Sequence, residues 1–392
     1  MLLPLPCPSI HLKTLQPAHL SSSSWPPTCP FLCQFSSSAA AGAALSFAAS
    51  KGEYHYMQRC SKKYYTLQSL CSLYSLNSFV DDDEVELVRK GAVDTQEALR
   101  TVDKELRGGN DRKALDIVNA LRSRGGLRGF GLPLRDQIPK RIYYLDELRL
   151  NNIEPSRLLS PVDVTLGAVR SNLQLAALFG GILSWQTRVF DQVQLLIATI
   201  VFLLFGTLDQ IATGGGIEAL VLDTLGRLLS AKYKKRVAHH EAGHFLIAYL
   251  LGILPKNYAL SSLDAFRKDG SLNVQAGTTF VDFAFEEEVK SGKLSSESLD
   301  KYTCIALAGV ATEYVAYGVA EGGLADIQQL DNLLKGLNFS QLKADSQLRW
   351  AVLNVVTLLR RHQKELSELA VAMDSGKSIG DCISTIEENL AR

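Results

Sequence analysis

The sequence predicts a mainly α chain with one small β element. It divides into a helical N-terminal region, a candidate membrane hairpin and a helical C-terminal domain that carries a metal-binding motif. Three observations predict this. Apolar residues recur at helical spacing in both the N-terminal and C-terminal parts. Two uncharged apolar windows lie side by side near the centre of the chain. The stretch RVAHHEAGHFLIAYLLG (236–252) places three histidines and a glutamate at the head of an apolar run.

Composition sets the outer limits. The 392 residues suffice for two domains with appendages. The 41 basic and 41 acidic residues balance, which gives no electrostatic case for a nucleic-acid partner. Of the 7 cysteines, Cys7, Cys29, Cys33, Cys60 and Cys71 lie near the N-terminus, whereas Cys304 and Cys382 are isolated. No CxxC pair occurs, so neither a thiolate zinc site nor a redox dithiol is expected, and the body reads as coming from a thiol-neutral compartment.

Residues 1–52 contain no Asp or Glu, carry Lys13 and Lys51 as their only strong bases, and hold serine runs at 21–24 and 36–38 followed by an alanine-rich patch. This acid-poor, serine-rich composition predicts an organelle transit peptide, and the shortage of arginine favours a plastid. DDDE at 81–84 marks the expected start of ordered sequence. The region 81–126 reads as a helical hairpin. Its first helix runs from Glu84 to Leu106 on Val85, Val88, Ala92, Leu99, Val102 and Leu106. Asp111 is expected to cap the second helix, with Ala114, Leu115, Val118 and Leu121 on one face, and Gly125-Gly126 to stop it. Residues 127–170, punctuated by Pro133, Pro139, Pro155 and Pro161, read as a connecting segment.

SNLQLAALFGGILSWQT, between Arg170 and Arg188, and QVQLLIATIVFLLFGTL, between Asp191 and Asp209, carry no charge. Each approaches the minimum length of a spanning helix, so 171–208 is expected to form a membrane hairpin, the alternative being a pair of buried core helices. The cluster Lys232, Lys234, Lys235 and Arg236 then marks the side on which both ends lie. After Gly214-Gly215-Gly216, IEALVLDTLGRLLS is expected to run as one helix into the histidine motif. SLNVQAGTTFVDF (271–283) supplies the β element by its alternation and β-branched residues.

Residues four apart on a helix share a face and lie about 6 Å apart along the axis. His240 and His244 can therefore present two imidazole nitrogens to one Zn²⁺, whereas His239 is turned too far away to join them. Glu241 lies between the two in angle, placed to reach water beside the metal. This is the physical content of HExxH: two ligands and a general base on one helix. A third protein ligand is required. Position 250, where an extended histidine motif would place it, is Leu250. Asp264, Glu313, Asp326 and Asp331 stay open as candidates. His362, in LRRHQKEL, reads as an exposed helix residue. Gly376-Lys377-Ser378 reads as a helix–helix turn, because Val371 stands where a phosphate loop needs glycine.

HEAGHFLIAYLLG, then LAGVATEYVAYG (307–318), then EGGLAD (321–326) resembles the peptidase domain of the FtsH family of zinc metalloproteases, a likeness that covers roughly residues 224–392 of a domain expected over 217–392. The likeness is nearest to a plant plastid branch that lacks the AAA+ ATPase. It implies an FtsH-type helical fold with His240, His244 and Asp326 as zinc ligands and Glu241 as catalytic base. The match to Asp326 needs a one-residue gap between Gly318 and Asp326, and Asp331 is the runner-up third ligand if that gap falls elsewhere. It further implies Glu313 beside the ligands, and Gly277, Thr278 and Thr279 of GTTFVD (277–282) as a substrate-binding edge. Fewer than 35 residues separate the hairpin from the motif, too few for an AAA+ module, and no GxxxxGK[ST] loop occurs. The implied protein is a zinc endopeptidase of a thylakoid or inner envelope membrane, facing the stroma. It would act on unstructured polypeptide or borrow an AAA+ unfoldase or FtsH-family subunits. The rival reading is a membrane assembly or chaperone-like subunit that keeps the fold without cutting.

Overall fold

The computed structural model of the chain describes residues 82–91, 93–132, 138–188, 190–213, 215–269 and 276–390. The expected transit peptide and the five N-terminal cysteines lie outside the described residues. What is described is mainly helical, with two short strands.

The N-terminal region holds α1 (Asp82–Arg89), α2 (Thr95–Arg107) and α3 (Asp111–Ser123). The single helix expected from Glu84 to Leu106 is thus two. Gly91 adopts φ +75°, which ends α1. Asp94 then caps α2 by accepting from the Gln96 N–H. Asp111 is the first residue of α3 rather than its cap, which is Asn110. The Asp111 carboxylate instead pairs with Lys256 at 2.5 Å. Ala98, Leu99, Val102, Ile117, Val118 and Leu121 join the same buried cluster as the C-terminal helices.

The expected connecting segment contains two short helices, α4 (Leu145–Leu150) and α5 (Pro155–Leu159). Their Leu148 and Leu158 are fully buried. Next come α6 (Val164–Gln186) and α7 (Gln192–Thr213), both long and apolar enough to cross a membrane. At about 1.5 Å per residue each is roughly 33 Å long, a match for a hydrocarbon layer of about 30 Å. No residue of α6 is buried, and Asp209 alone is buried in α7. Neither helix therefore belongs to the core formed by the described residues, and Leu203, Phe202 and Ile200 stand exposed.

Helices α8 (Gly216–Leu229) and α9 (Ala231–Leu250) are separate, where one continuous helix was expected. The apolar pattern runs across the junction, but Ser230 is extended and its side chain accepts from the Tyr233 N–H, starting a new helix. Gly252 (φ +79°) turns the chain into β1 (Leu254–Ala259), which pairs antiparallel with β2 (Gly277–Val281). Leu254 faces Val281 and Tyr258 faces Thr278, with an irregularity between Pro255 and Asn257. Between the strands lies α10 (Ser262–Asp269). After them come α11 (Phe283–Ser291), α12 (Ser296–Tyr317), α13 (Leu324–Gly336), α14 (Gln341–Arg361), α15 (Gln363–Asp374) and α16 (Ile379–Asn389). The core sits where α9 crosses α12 and α15, and α2 packs on α16 through the Gly380 N–H donated to Asp103 at 2.8 Å.

Candidate metal centre

The second half of α9 is buried all round, from His240 to Leu250. Its apolar residues hold the helix against α12, and the two histidines enter the interior with it. Small residues let the helices approach. A Cβ on Gly243 would press on the Ala308 carbonyl at 2.9 Å. A Cβ on Gly309 would overlap the His240 ring itself. Glycine is also required at 323, where φ is +84°, and this turn starts α13 and delivers Asp326 to the histidines.

His240 Nε2 and His244 Nε2 lie 3.1 Å apart. Asp326 Oδ2 is 3.1 Å from the first and 3.5 Å from the second. The opposite ring nitrogens are committed elsewhere: His240 Nδ1 faces Glu313 Oε1 at 2.8 Å, and His244 Nδ1 faces the Ile305 carbonyl at 2.7 Å. Carboxylates and carbonyls only accept, so each Nδ1 carries the proton and each Nε2 turns a lone pair inward. Three Lewis-basic atoms thus converge, an arrangement able to hold a cation between them. Bonds of about 2.0–2.1 Å to a tetrahedral Zn²⁺ would set its ligand atoms about 3.3 Å apart. The donor set fits, and two nitrogens with one carboxylate oxygen leave a fourth position open, as catalytic zinc sites do.

The electrostatics follow from this convergence. Burial works against a charged His240 ring, yet hydrogen bonds to Asp326 and Glu313 outweigh it and raise its pKa well above the ordinary value. Burial likewise opposes the two carboxylates, but the histidines beside them hold Asp326 far below the usual range and Glu313 at about 2. Glu241 is different. It is buried, and burial pushes its carboxyl up against the opposing pull of His244 and His240. Its Oε2 accepts from the Thr278 hydroxyl at 2.9 Å.

Of the expected site residues, the structure brings together His240, His244 and Asp326, with Glu313 and Glu241 beside them. Thr278 reaches Glu241. Gly277 and Thr279 stay within the strand pair, opposite Ala259 and Asn257. Asp331, the alternative ligand, projects from α13 to Lys335 at 2.5 Å. Asp264 lies on α10 and is not part of the cluster. His239 turns to the Lys235 carbonyl at 2.8 Å. His362 is buried rather than exposed, because the turn between α14 and α15 packs it against Glu365 at 3.1 Å. Gly376 (φ +74°) and Ser378 form the turn into α16.

Two residues at the centre escaped assignment from sequence. Arg236, counted with the lysines as a surface charge, is buried and donates to Glu313 Oε2 at 2.9 Å and to the Val319 carbonyl at 2.7 Å. It also pairs with Glu321 at 3.0 Å. Its signal was its place one turn before His240, on the same helix face. Glu321 was visible in EGGLAD but had no periodicity to mark it. No family model, curated protein or solved structure matches the chain.

Proposed function

We propose that the chain is a membrane-associated zinc-dependent endopeptidase of FtsH-like type without an ATPase of its own. One observation carries this reading: three inward-facing lone pairs, on His240, His244 and Asp326, converge beside the buried carboxylate of Glu241. His240, His244 and Asp326 would hold Zn²⁺. When bound, the metal supplies Lewis acidity, polarising a peptide carbonyl and making water acidic enough to lose a proton near neutral pH.

The chain's own groups supply the rest. Glu241 takes the proton from the attacking water and delivers it to the leaving amine. Thr278 holds the Glu241 carboxylate in place through its hydroxyl. Glu313 and the Ile305 carbonyl fix the two rings so that Nε2 remains the free donor. Among the described residues β2 has β1 as its one strand partner, so its other edge can accept an extended polypeptide by strand addition. An enzyme of this design takes unstructured segments, or works with an AAA+ unfoldase. The exposed apolar helices α6 and α7 support anchorage in a membrane, and the N-terminal composition supports a plastid address.

The test is cleavage of an unfolded protein substrate by the purified chain in detergent, with and without zinc, against Glu241→Gln. Zinc-dependent cleavage that Glu241→Gln abolishes, with zinc still bound, is the expected result. A zinc-loaded chain with no cleavage for that substitution to remove would favour the non-cutting assembly subunit.

A further inference from the structure

A buried polar system on the Nδ1 side of His240 extends beyond Glu313, the one member that the chemistry above uses. Glu313 accepts from His240 through Oε1, while its Oε2 accepts from Arg236 Nε and Nη2 at 3.1 and 2.9 Å and from the Glu321 N–H at 2.9 Å. Arg236 Nη1 continues to Glu321 Oε1 at 3.0 Å. The other oxygen of Glu321 accepts from Thr165, from its hydroxyl at 2.5 Å and its N–H at 3.2 Å. Thr165 stands in the first turn of α6, whose N-terminus Asp163 caps by accepting from Leu166 at 2.8 Å. A continuous chain of hydrogen bonds and ion pairs therefore links the start of the candidate membrane hairpin to the ring of a candidate metal ligand.

A purely structural role explains this poorly. Arg236 and Glu313 already neutralise each other, with side chains 4% and 3% exposed. A second buried carboxylate costs desolvation that the pair does not require. The side chain of Glu321 is 9% exposed, and Lys232, its further cation, lies at 3.6 Å and is largely exposed. What Glu321 adds is the connection to α6. From this we infer that Glu321 and Thr165 are positioning residues. They tie the seating of α6 to the orientation of the His240 ring, so that metal affinity depends on how the hairpin is held. The inference rests on the metal-centre reading given above.

The experiment uses the full chain in detergent and two readouts. Zinc Kd is measured by competition with a chromophoric chelator. The His240 Nδ1–H resonance is followed in metal-free, ¹⁵N-histidine-labelled protein. Thr165→Val and Glu321→Gln are expected to weaken zinc about tenfold, within the range that removal of outer-shell partners produces, and to broaden or shift the resonance. Thr165→Ser keeps the hydroxyl and restores both. Thr165→Val added to Glu313→Gln costs no more than Glu313→Gln alone, because both act through one path. Wild-type zinc affinity and an unchanged resonance in Thr165→Val, with only the thermal midpoint lowered, would overturn the inference, as would fully additive losses. If the wild-type chain takes up no zinc, the metal reading fails by itself. The resonance then decides: a shift in Glu321→Gln upholds the link between α6 and His240, and an unchanged signal ends it.

Discussion

The Thr278 hydroxyl donates to Glu241 Oε2 at 2.9 Å, joining the second strand of the sheet to the buried carboxylate of α9. The strand expected to receive a polypeptide and the residue expected to move its proton are therefore one hydrogen bond apart. Thr278→Val removes that bond with little change in shape. Cleavage kcat is expected to fall roughly tenfold, the value of a hydrogen bond to a charged group, while zinc content stays unchanged. Thr278→Ser should retain most of the rate. Steady-state kinetics beside metal analysis checks both.

Gly309→Ala places a methyl group where the His240 ring lies. The ring cannot yield without leaving Asp326 and His244. Zinc affinity should drop by more than about tenfold, as when a ligand's orientation is lost. An Ala311→Gly control on the same helix should bind zinc normally, and chelator competition distinguishes the two.

Cys304 and Cys382 are both buried free thiols. Burial, aided by Asp381 and Asp103, pushes Cys382 up to about 12. The thiolate is the reactive form, so iodoacetamide at pH 8 should leave both residues unlabelled in the folded chain and label them after denaturation. Peptide mass spectrometry separates them from the N-terminal cysteines. The sign for stability follows. A thiol raised in the fold contributes its stability fully below the unfolded value of about 8.5, and this is lost as pH rises toward 12. Thermal midpoints should decline across that window, and less so in Cys382→Ala.

The hairpin should resist carbonate extraction of membranes. Leu203 stands exposed near the middle of α7. A charge at the centre of a spanning helix costs about 2.5–3.5 kcal/mol, so Leu203→Arg should raise the extracted fraction. Complete release of the wild-type chain would place α6 and α7 outside the bilayer.

Local geometry made part of the centre legible. His240, Glu241 and His244 share one helix, so their relation follows from a 3.6-residue period alone. Asp326 lies 86 positions from His240, and only a family resemblance selected it over Asp264 and Asp331. The network of Arg236, Glu313, Glu321 and Thr165 joins four separate segments through single polar contacts, which leave no period in a sequence. Helix existence was readable from apolar spacing, but the breaks were set by single residues, Gly91 and Ser230, within patterns that run past them. His362 was misplaced because burial at a helix–helix turn depends on the neighbouring helix rather than on its own flanking charges. The exposure of α6 and α7 shows that they are not core helices, a question that composition left open.

The most direct measurement is the zinc content of the purified chain, wild type against Asp326→Asn. A centre built from His240, His244 and Asp326 predicts about one zinc per wild-type chain and a strongly diminished content in the variant, with the fold retained by circular dichroism. Undiminished zinc in Asp326→Asn, or none in the wild type, would contradict it.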